Sequence, residues 1–130
     1  MKMVFFADDD TDDRKLVVEA FKEQTGELDW HFMENGEQLL NNLKANQQYP
    51  NLILLDLNMP VMGGLDVLIE IRKDKNLMQI PIIIFSTSGL QKDKGLSYEF
   101  GANCYIQKPD SYIRLVQITM AISTLWLAPN

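Results

Sequence analysis

The segment LILLDLNMP, residues 52–60, decides the architecture. Four consecutive aliphatic residues, Leu52 to Leu55, lead into Asp56 and Leu57, and Pro60 closes the stretch. A strand buried on both faces reads as a short unbroken apolar run, whereas a helix needs about ten or more residues and an amphipathic stripe. Residues Leu52 to Leu57 are therefore predicted to form a central parallel strand that delivers Asp56 at its carboxyl end. An unpartnered carboxylate is costly to bury. The rest of the chain should supply a charge for it.

Working outward, four more apolar runs flank this one: MVFFAD (3–8), DWHFME (29–34), IPIIIFST (80–87) and CYIQKP (104–109). Helical periodicity fills the intervals. Thr11 to Gln24 aligns Leu16, Val17, Ala20 and Phe21; the next interval aligns Leu39, Leu40 and Leu43; after Gly63 and Gly64 come Leu65, Leu68, Ile69 and Arg72. Gln91 to Phe100 is weakly amphipathic, and the last helix is expected from Asp110 to about Leu127. Strand and helix alternating in this way imply a parallel sheet covered on both faces by right-handed crossovers. The expected fold is α/β, a flavodoxin-like doubly wound (βα)5 sandwich with five parallel strands in the order 2-1-3-4-5. Without a linker or low-complexity segment, residues 1–130 are expected to be a single domain with no output domain.

Composition narrows the function. A formal charge of -6 argues against the basic surface that binding a phosphate backbone requires, so direct nucleic-acid binding is not expected. Cys104 is the only cysteine, which excludes an intrachain disulfide or a cysteine zinc site and suits a reducing cytoplasm. No apolar run approaches the length of a membrane span and the start lacks signal-peptide order, so no membrane partner is expected and the location is expected to be cytoplasmic.

In an open parallel sheet, ligands bind beyond the carboxyl ends of the strands, where the strand order reverses. Those ends carry Asp8 and Asp9, then Asp56, then Ser86 and Thr87, then Lys108. With the first and third strands adjacent, three carboxylates share one pocket with a hydroxyl and an ammonium. Like charges so placed raise one another's pKa and favour a cation. A hard divalent ion with oxygen ligands and retained water, Mg2+ rather than Ca2+, suits the set. Such a pocket is equipped to accept a phosphoryl group on Asp56, with Mg2+, Lys108 and the Ser86 hydroxyl neutralising the equatorial oxygens.

These residues resemble the receiver domain of bacterial two-component response regulators. The likeness rests on four ordered blocks, FFADDDTDD, LLDLNMPVMGGLDVL, IPIIIFSTS and FGANCYIQKP, and covers nearly the whole chain. It implies Asp56 as phospho-acceptor and Asp8, Asp9 and the Asn58 backbone carbonyl as companions of Asp56 around Mg2+. Ser86 becomes the switch hydroxyl, Tyr105 the switch aromatic, Lys108 the phosphate partner, and the Lys108–Pro109 bond is expected to be cis. STSGLQKDKGLSYEFGANCYIQKP with the Trp126-Leu127 ending is similar to the single-domain regulators that work with cyanobacterial phytochromes. The implied partners are a sensor histidine kinase, phytochrome-like in that narrower likeness, and a downstream protein target or phosphotransfer protein. The implied protein is a switch that assists its own phosphorylation and dephosphorylation, and its fourth helix, fifth strand and fifth helix change on phosphorylation. Ser88, two residues past the switch hydroxyl, is not acidic, so the lifetime of the phosphorylated state is left open.

Plainer readings stand beside these. DDDTDD (8–13) also suits a helix start, where aspartates meet the positive end of the dipole. His31 reads as a strand side chain without chemistry, and Cys104 as a small buried hydrophobe. A haloacid-dehalogenase-like phosphatase would need a second acid two residues after the nucleophile, where Asn58 stands. In the last helix Ile113, Val116 and Met120 form one apolar stripe and Leu115, Ile118, Ile122 and Leu125 another. One sheet needs one stripe, so the excess points to a partner or to a homodimer.

Overall fold

The computed structural model describes residues 1–24, 26–45 and 48–128. In chain order the elements are β1 (Lys2–Ala7), α1 (Thr11–Lys22), β2 (Leu28–Met33), α2 (Gly36–Ala45), β3 (Leu52–Leu55), α3 (Gly64–Lys73), β4 (Ile82–Ser86), α4 (Gln91–Glu99), β5 (Cys104–Gln107) and α5 (Tyr112–Trp126). The sheet has five strands in the order β2-β1-β3-β4-β5, and every pairing is parallel. This is the flavodoxin-like α/β arrangement that the apolar runs predict.

The unbroken runs conceal a two-residue alternation. Phe5, Ala7, Ile53, Leu55, Ile82 and Ile84 face α2 and α3, where they meet Leu39, Leu43, Val67, Leu68 and Ile71. Val4, Phe6, Leu52, Leu54, Ile83 and Phe85 face α1 and α5, against Val17, Ala20, Phe21, Leu115 and Ile122. Successive side chains of a strand point to opposite faces, so a central strand needs apolar residues at every position once both faces are covered. Burying each such side chain contributes about 1.5–3 kcal/mol. The central strands are thus a rigid base for whatever their ends carry.

Several boundaries differ from the periodic reading. β3 ends at Leu55, so Asp56 and Leu57 lie just past the ladder although both are buried. α1 stops at Lys22, two residues short of Gln24. Leu16 is 50% exposed, because Val17, Ala20 and Phe21 already fill the row that meets the sheet. α5 begins at Tyr112, since Ser111 caps it by accepting from the Arg114 N–H. Leu125 belongs to no buried stripe: it is 74% exposed, and Thr119 and Ser123 take buried places beside Leu115 and Ile122. No peptide bond among the described residues is cis, so Lys108–Pro109 is trans, the lower-energy state of an X-Pro bond.

Gly64 explains how α3 approaches the end of β3. Its N–H donates to the Leu57 carbonyl at 2.9 Å, and a Cβ there would collide with the Asp56 carbonyl oxygen. Only glycine lets the helix start this close to the carboxylate-bearing turn.

Candidate functional site

The sheet register brings the strand-end residues together. Ala7 pairs with Leu55, and the ladder runs one step further as the Asp56 N–H donates to the Ala7 carbonyl at 2.9 Å. On the other side of β1, the Asp8 N–H donates to the Met33 carbonyl at 3.0 Å. The Lys108 N–H likewise donates to the Ser86 carbonyl at 2.7 Å, so Lys108 leaves the sheet beside Ser86. Backbone hydrogen bonding therefore fixes where each functional residue leaves the sheet before its side chain makes a contact.

Carboxylate oxygens of Asp8, Asp9 and Asp56 lie within 4.8 Å of one another. Asp8 is fully buried and Asp56 is 7% exposed, whereas Asp9 opens to solvent. An oxygen-only set with two buried ligands and one at the surface fits a hard divalent cation that keeps part of its water. Asp56 shows the need for such an ion: burial pushes its pKa up to about 6. Lys108 and the Asn58 and Leu57 backbone N–H groups pull the value down, and the neighbouring Asp8 charge pushes it up. Desolvation and like charge win over the available donors.

Lys108 is the partner that the buried strand requires. Its Nζ lies 2.8 Å from Asp8 Oδ2, 2.7 Å from Asp13 Oδ2 and 3.6 Å from Asp56 Oδ2. Burial disfavours the ammonium, but hydrogen bonds to Asp13 and Asp8 and the charges of Asp56 and Asp8 outweigh it, holding Lys108 above the ordinary lysine value. The looser contact is to Asp56. The lysine is thus held by two acids, within reach of a group placed on the third.

Asp13 escapes the sequence reading. It stands on the first turn of α1, where its carboxylate reads as a dipole partner, yet its side chain anchors Lys108. No spacing in the sequence marked it, because an acid in the first turn of a helix is already accounted for by the helix dipole. The helix-start reading holds for Asp10, which caps α1 by accepting from the Asp13 N–H at 3.1 Å. The Asp10 N–H donates to Asp8 Oδ1 at 2.9 Å, and Arg14 Nη1 donates to the Asp8 carbonyl at 3.0 Å. These bonds orient the buried acid.

Ser86 is fully buried at the end of β4, and its Oγ accepts from the Ser88 N–H at 3.2 Å. Tyr105 is half-buried against the core, with its hydroxyl donating to the Ser88 carbonyl at 2.7 Å. The expected switch pair is therefore joined through Ser88. His31 lies on the edge strand β2, its ring 5.2 Å from that of Phe5 and its Nε2 3.1 Å from Asp29 Oδ1. Cys104 is half-buried at the start of β5.

A five-stranded parallel sheet with an acidic, lysine-bearing rim at its strand ends defines a class of signalling receivers. The chain belongs to the response regulator receiver domain family, whose pattern it matches over residues 4–120. It is 33% identical to response regulator Rcp1 of Synechocystis sp. over 97% of this chain and 89% of that protein. Among solved structures, the phosphorylated cyanobacterial phytochrome response regulator RcpA superimposes with a TM-score of 0.91 at 36% identity, covering 98% of this chain and 94% of that one. The Mn2+-bound form of Rcp1 gives 0.89 at 31% identity over 100% and 97% of the two chains. The protein is a receiver-domain signalling protein rather than a conventional enzyme, and its acidic triad is consistent with a divalent metal site. Among the described residues no helix is long and apolar enough to cross a membrane.

Proposed function

We propose that this chain is a phosphoryl-accepting switch, with Asp56 as the acceptor. The observation that carries the reading is the placement of the Asp56 carboxylate among Asp8, Asp9 and Lys108 at the end of a buried strand. A sensor histidine kinase is the donor, and the likeness to RcpA and Rcp1 favours a phytochrome-like one. An Asp56 carboxylate oxygen attacks phosphorus in line; the P–O bond forms as the phosphohistidine P–N bond breaks, and the imidazole leaves as the neutral base once protonated.

Mg2+ is the proposed metal, held by Asp8, Asp9, Asp56 and the Asn58 backbone carbonyl; when bound, it neutralises charge on the phosphoryl oxygens and keeps Asp56 ionised. Lys108, already 3.6 Å from Asp56, holds a second phosphoryl oxygen, and Ser86 donates to a third. Asp8 and Asp13 keep the lysine charged and aimed. The acyl phosphate carries about -1.5 to -2 charges where the ionised Asp56 carboxylate carried one, so the rim gains about one negative charge or less together with new acceptor oxygens. Ser86 and Tyr105 then report it to α4, β5 and α5, the surface offered to a downstream protein target or phosphotransfer protein. Ile113, 76% exposed on α5, and Met120 leave an apolar face suited to such a partner or to a homodimer. A cytoplasmic location is the one that a lone cysteine suits, since disulfide-free chains fit a reducing compartment.

The test is intact mass after incubation with acetyl phosphate, with and without Mg2+. One phosphoryl group should be gained only with the metal, and none by Asp56→Asn. Full labelling of Asp56→Asn would place the acceptor elsewhere.

A further inference from the structure

Ser88 is bonded through every polar group it carries. Its N–H donates to Ser86 Oγ at 3.2 Å, its carbonyl accepts from the Tyr105 hydroxyl at 2.7 Å, and its own hydroxyl donates to Asp93 Oδ2 at 2.6 Å. The last of these is the shortest, as expected for a hydroxyl on a carboxylate, and such bonds are roughly twice as strong as neutral ones. Ser88 Oγ also accepts from the Leu90 N–H at 3.2 Å, which ties the loop into the start of α4. Asp93 is itself anchored, because its carbonyl accepts from the fully buried Ser97 hydroxyl at 2.7 Å.

This arrangement has a consequence at Ser86. The Ser88 N–H fills an acceptor position on Ser86 Oγ, while the proton of the Ser86 hydroxyl has no acceptor among the described residues. A hydroxyl held by an incoming donor, with its own proton unspent, is oriented to donate outward. The weak 3.2 Å bond cannot fix Ser88 by itself; the carboxylate bond to Asp93 and the Tyr105 bond do so. Asp93 forms one of these two anchors, from an element that contributes nothing else to the acidic rim.

We propose that Asp93 is a positioning residue for phosphoryl transfer: through Ser88 it orients the Ser86 hydroxyl toward the phosphoryl oxygens. The proposal rests on the reading of Asp56 as the acceptor. Removing Asp93 frees Ser88, misaligns Ser86 and slows transfer without touching the metal ligands.

A double-mutant cycle tests it, with the rate of phosphorylation by acetyl phosphate and the Mg2+ affinity of the unphosphorylated protein as paired readouts. Asp93→Ala should slow transfer about three- to tenfold, the worth of one hydrogen bond. It should have no further effect in a Ser86→Ala background, since residues acting through one another are not additive. Asp93→Asn, which keeps an acceptor oxygen, should restore most of the rate, and Mg2+ affinity should stay unchanged throughout. Ser88→Ala cuts the same bond from its other end and should reproduce Asp93→Ala if the latter folds poorly. An unchanged rate, an equal loss in both backgrounds or a parallel loss of Mg2+ affinity would overturn the proposal. Wild-type protein that gains no phosphoryl group would instead overturn the acceptor reading beneath it.

Discussion

Lys108 and Arg72 are two cations withdrawn from solvent in the same small protein, and their surroundings are opposite. Lys108 is surrounded by acids, at 2.7 and 2.8 Å from Asp13 and Asp8 and 3.6 Å from Asp56. Arg72 pairs with no acid among the described residues. Its Nε donates to the Gly101 carbonyl at 2.9 Å, Nη1 to the Met78 and Ile80 carbonyls at 3.0 and 2.8 Å, and Nη2 to Asn103 Oδ1 at 2.9 Å. Burial lowers the Arg72 pKa from its ordinary value, yet the guanidinium remains charged and spans four oxygens with its fixed fork. With no carboxylate among the four oxygens it binds, this corner lacks the charge that draws in a divalent ion, so Arg72 pins the end of α3 to the approaches of β4 and β5. Acids around an ammonium can exchange that partner for another cation or share it with an anion. One cation is a structural clamp, and the other belongs to a site built for exchange.

Exchanging the two losses gives the largest expected effects. Lys108→Ala should lower the rate of phosphoryl acceptance by about 100-fold or more, the scale of a lost transition-state donor. It should also destabilise the metal-free fold, because three acids lose their counter-charge, and Mg2+ should recover much of that loss. Arg72→Ala should cost about 2 kcal/mol and lower the melting temperature by about 7 °C, because part-buried carbonyls of Gly101 and Ile80 lose a charged donor. Mg2+ should not recover it, and the folded fraction should accept phosphoryl groups at the wild-type rate. Thermal melts with and without Mg2+, beside labelling rates, check both halves. A melting temperature of Arg72→Ala that Mg2+ restores would erase the distinction.

The next effect sharpens the acidic side alone. In the metal-free protein the Asp56 pKa is raised from 3.8 to about 6, so folding favours its neutral form. The associated stability is fully present below pH 3.8 and is lost as the pH rises through about 6. Asp56→Asn cannot ionise and escapes that loss. Relative to wild type, the variant should therefore gain about 3 kcal/mol between acid and neutral pH, as the shift of roughly two units implies. Mg2+ at neutral pH should narrow the gap by stabilising wild type. Urea titrations at both pH values measure it; a gap that does not widen with pH would mean that Asp56 is ionised without cost. The Arg72 guanidinium has no carboxylate partner among the described residues, so Arg72→Ala should show no comparable pH dependence.

Legibility in the sequence follows the same division. Asp8, Asp56, Ser86 and Lys108 were readable because a parallel sheet sends the residue at or just past each buried run to one rim. That argument needs only the position of the apolar runs, which is sharp. Asp13 and Asp93 were not, because each lies on a helix turn where an acid already has a local explanation in the helix dipole. Arg72 fell on an apolar stripe and gave no sign that its head would meet four oxygens from distant segments. Leu16 and Leu125 show the limit of helical periodicity: it finds apolar rows, but packing against the sheet decides which row is covered. The cis expectation at Lys108–Pro109 came from family likeness and had no support in the residues themselves.

The smallest effect concerns the backbone of the rim. Val61 has φ 67°, in the left-handed region, where a β-branched residue is an outlier. The Met62 N–H donates to the Pro60 carbonyl at 2.7 Å across it, closing a three-residue turn that is rarely adopted and strained. Val61 is 77% exposed, so its side chain repays little through packing. The conformation is held from outside, since the Met62 carbonyl accepts from the Gly36 N–H at 2.8 Å and seats the loop on α2. Strain of this kind costs on the order of 1–3 kcal/mol. Glycine would remove it while adding roughly 0.4–1 kcal/mol of unfolded-chain freedom. Val61→Gly should therefore stabilise the protein by about 1 kcal/mol and raise its melting temperature by about 3 °C. Phosphoryl acceptance should stay near the wild-type rate, because the turn lies beyond Asn58 and carries none of the oxygens assigned to the metal. A less stable Val61→Gly would mean that the loop is relaxed and that the rim differs from the Arg72 corner in charge alone. A more stable variant with slower transfer would mean that the strained turn also helps to aim the Asn58 carbonyl.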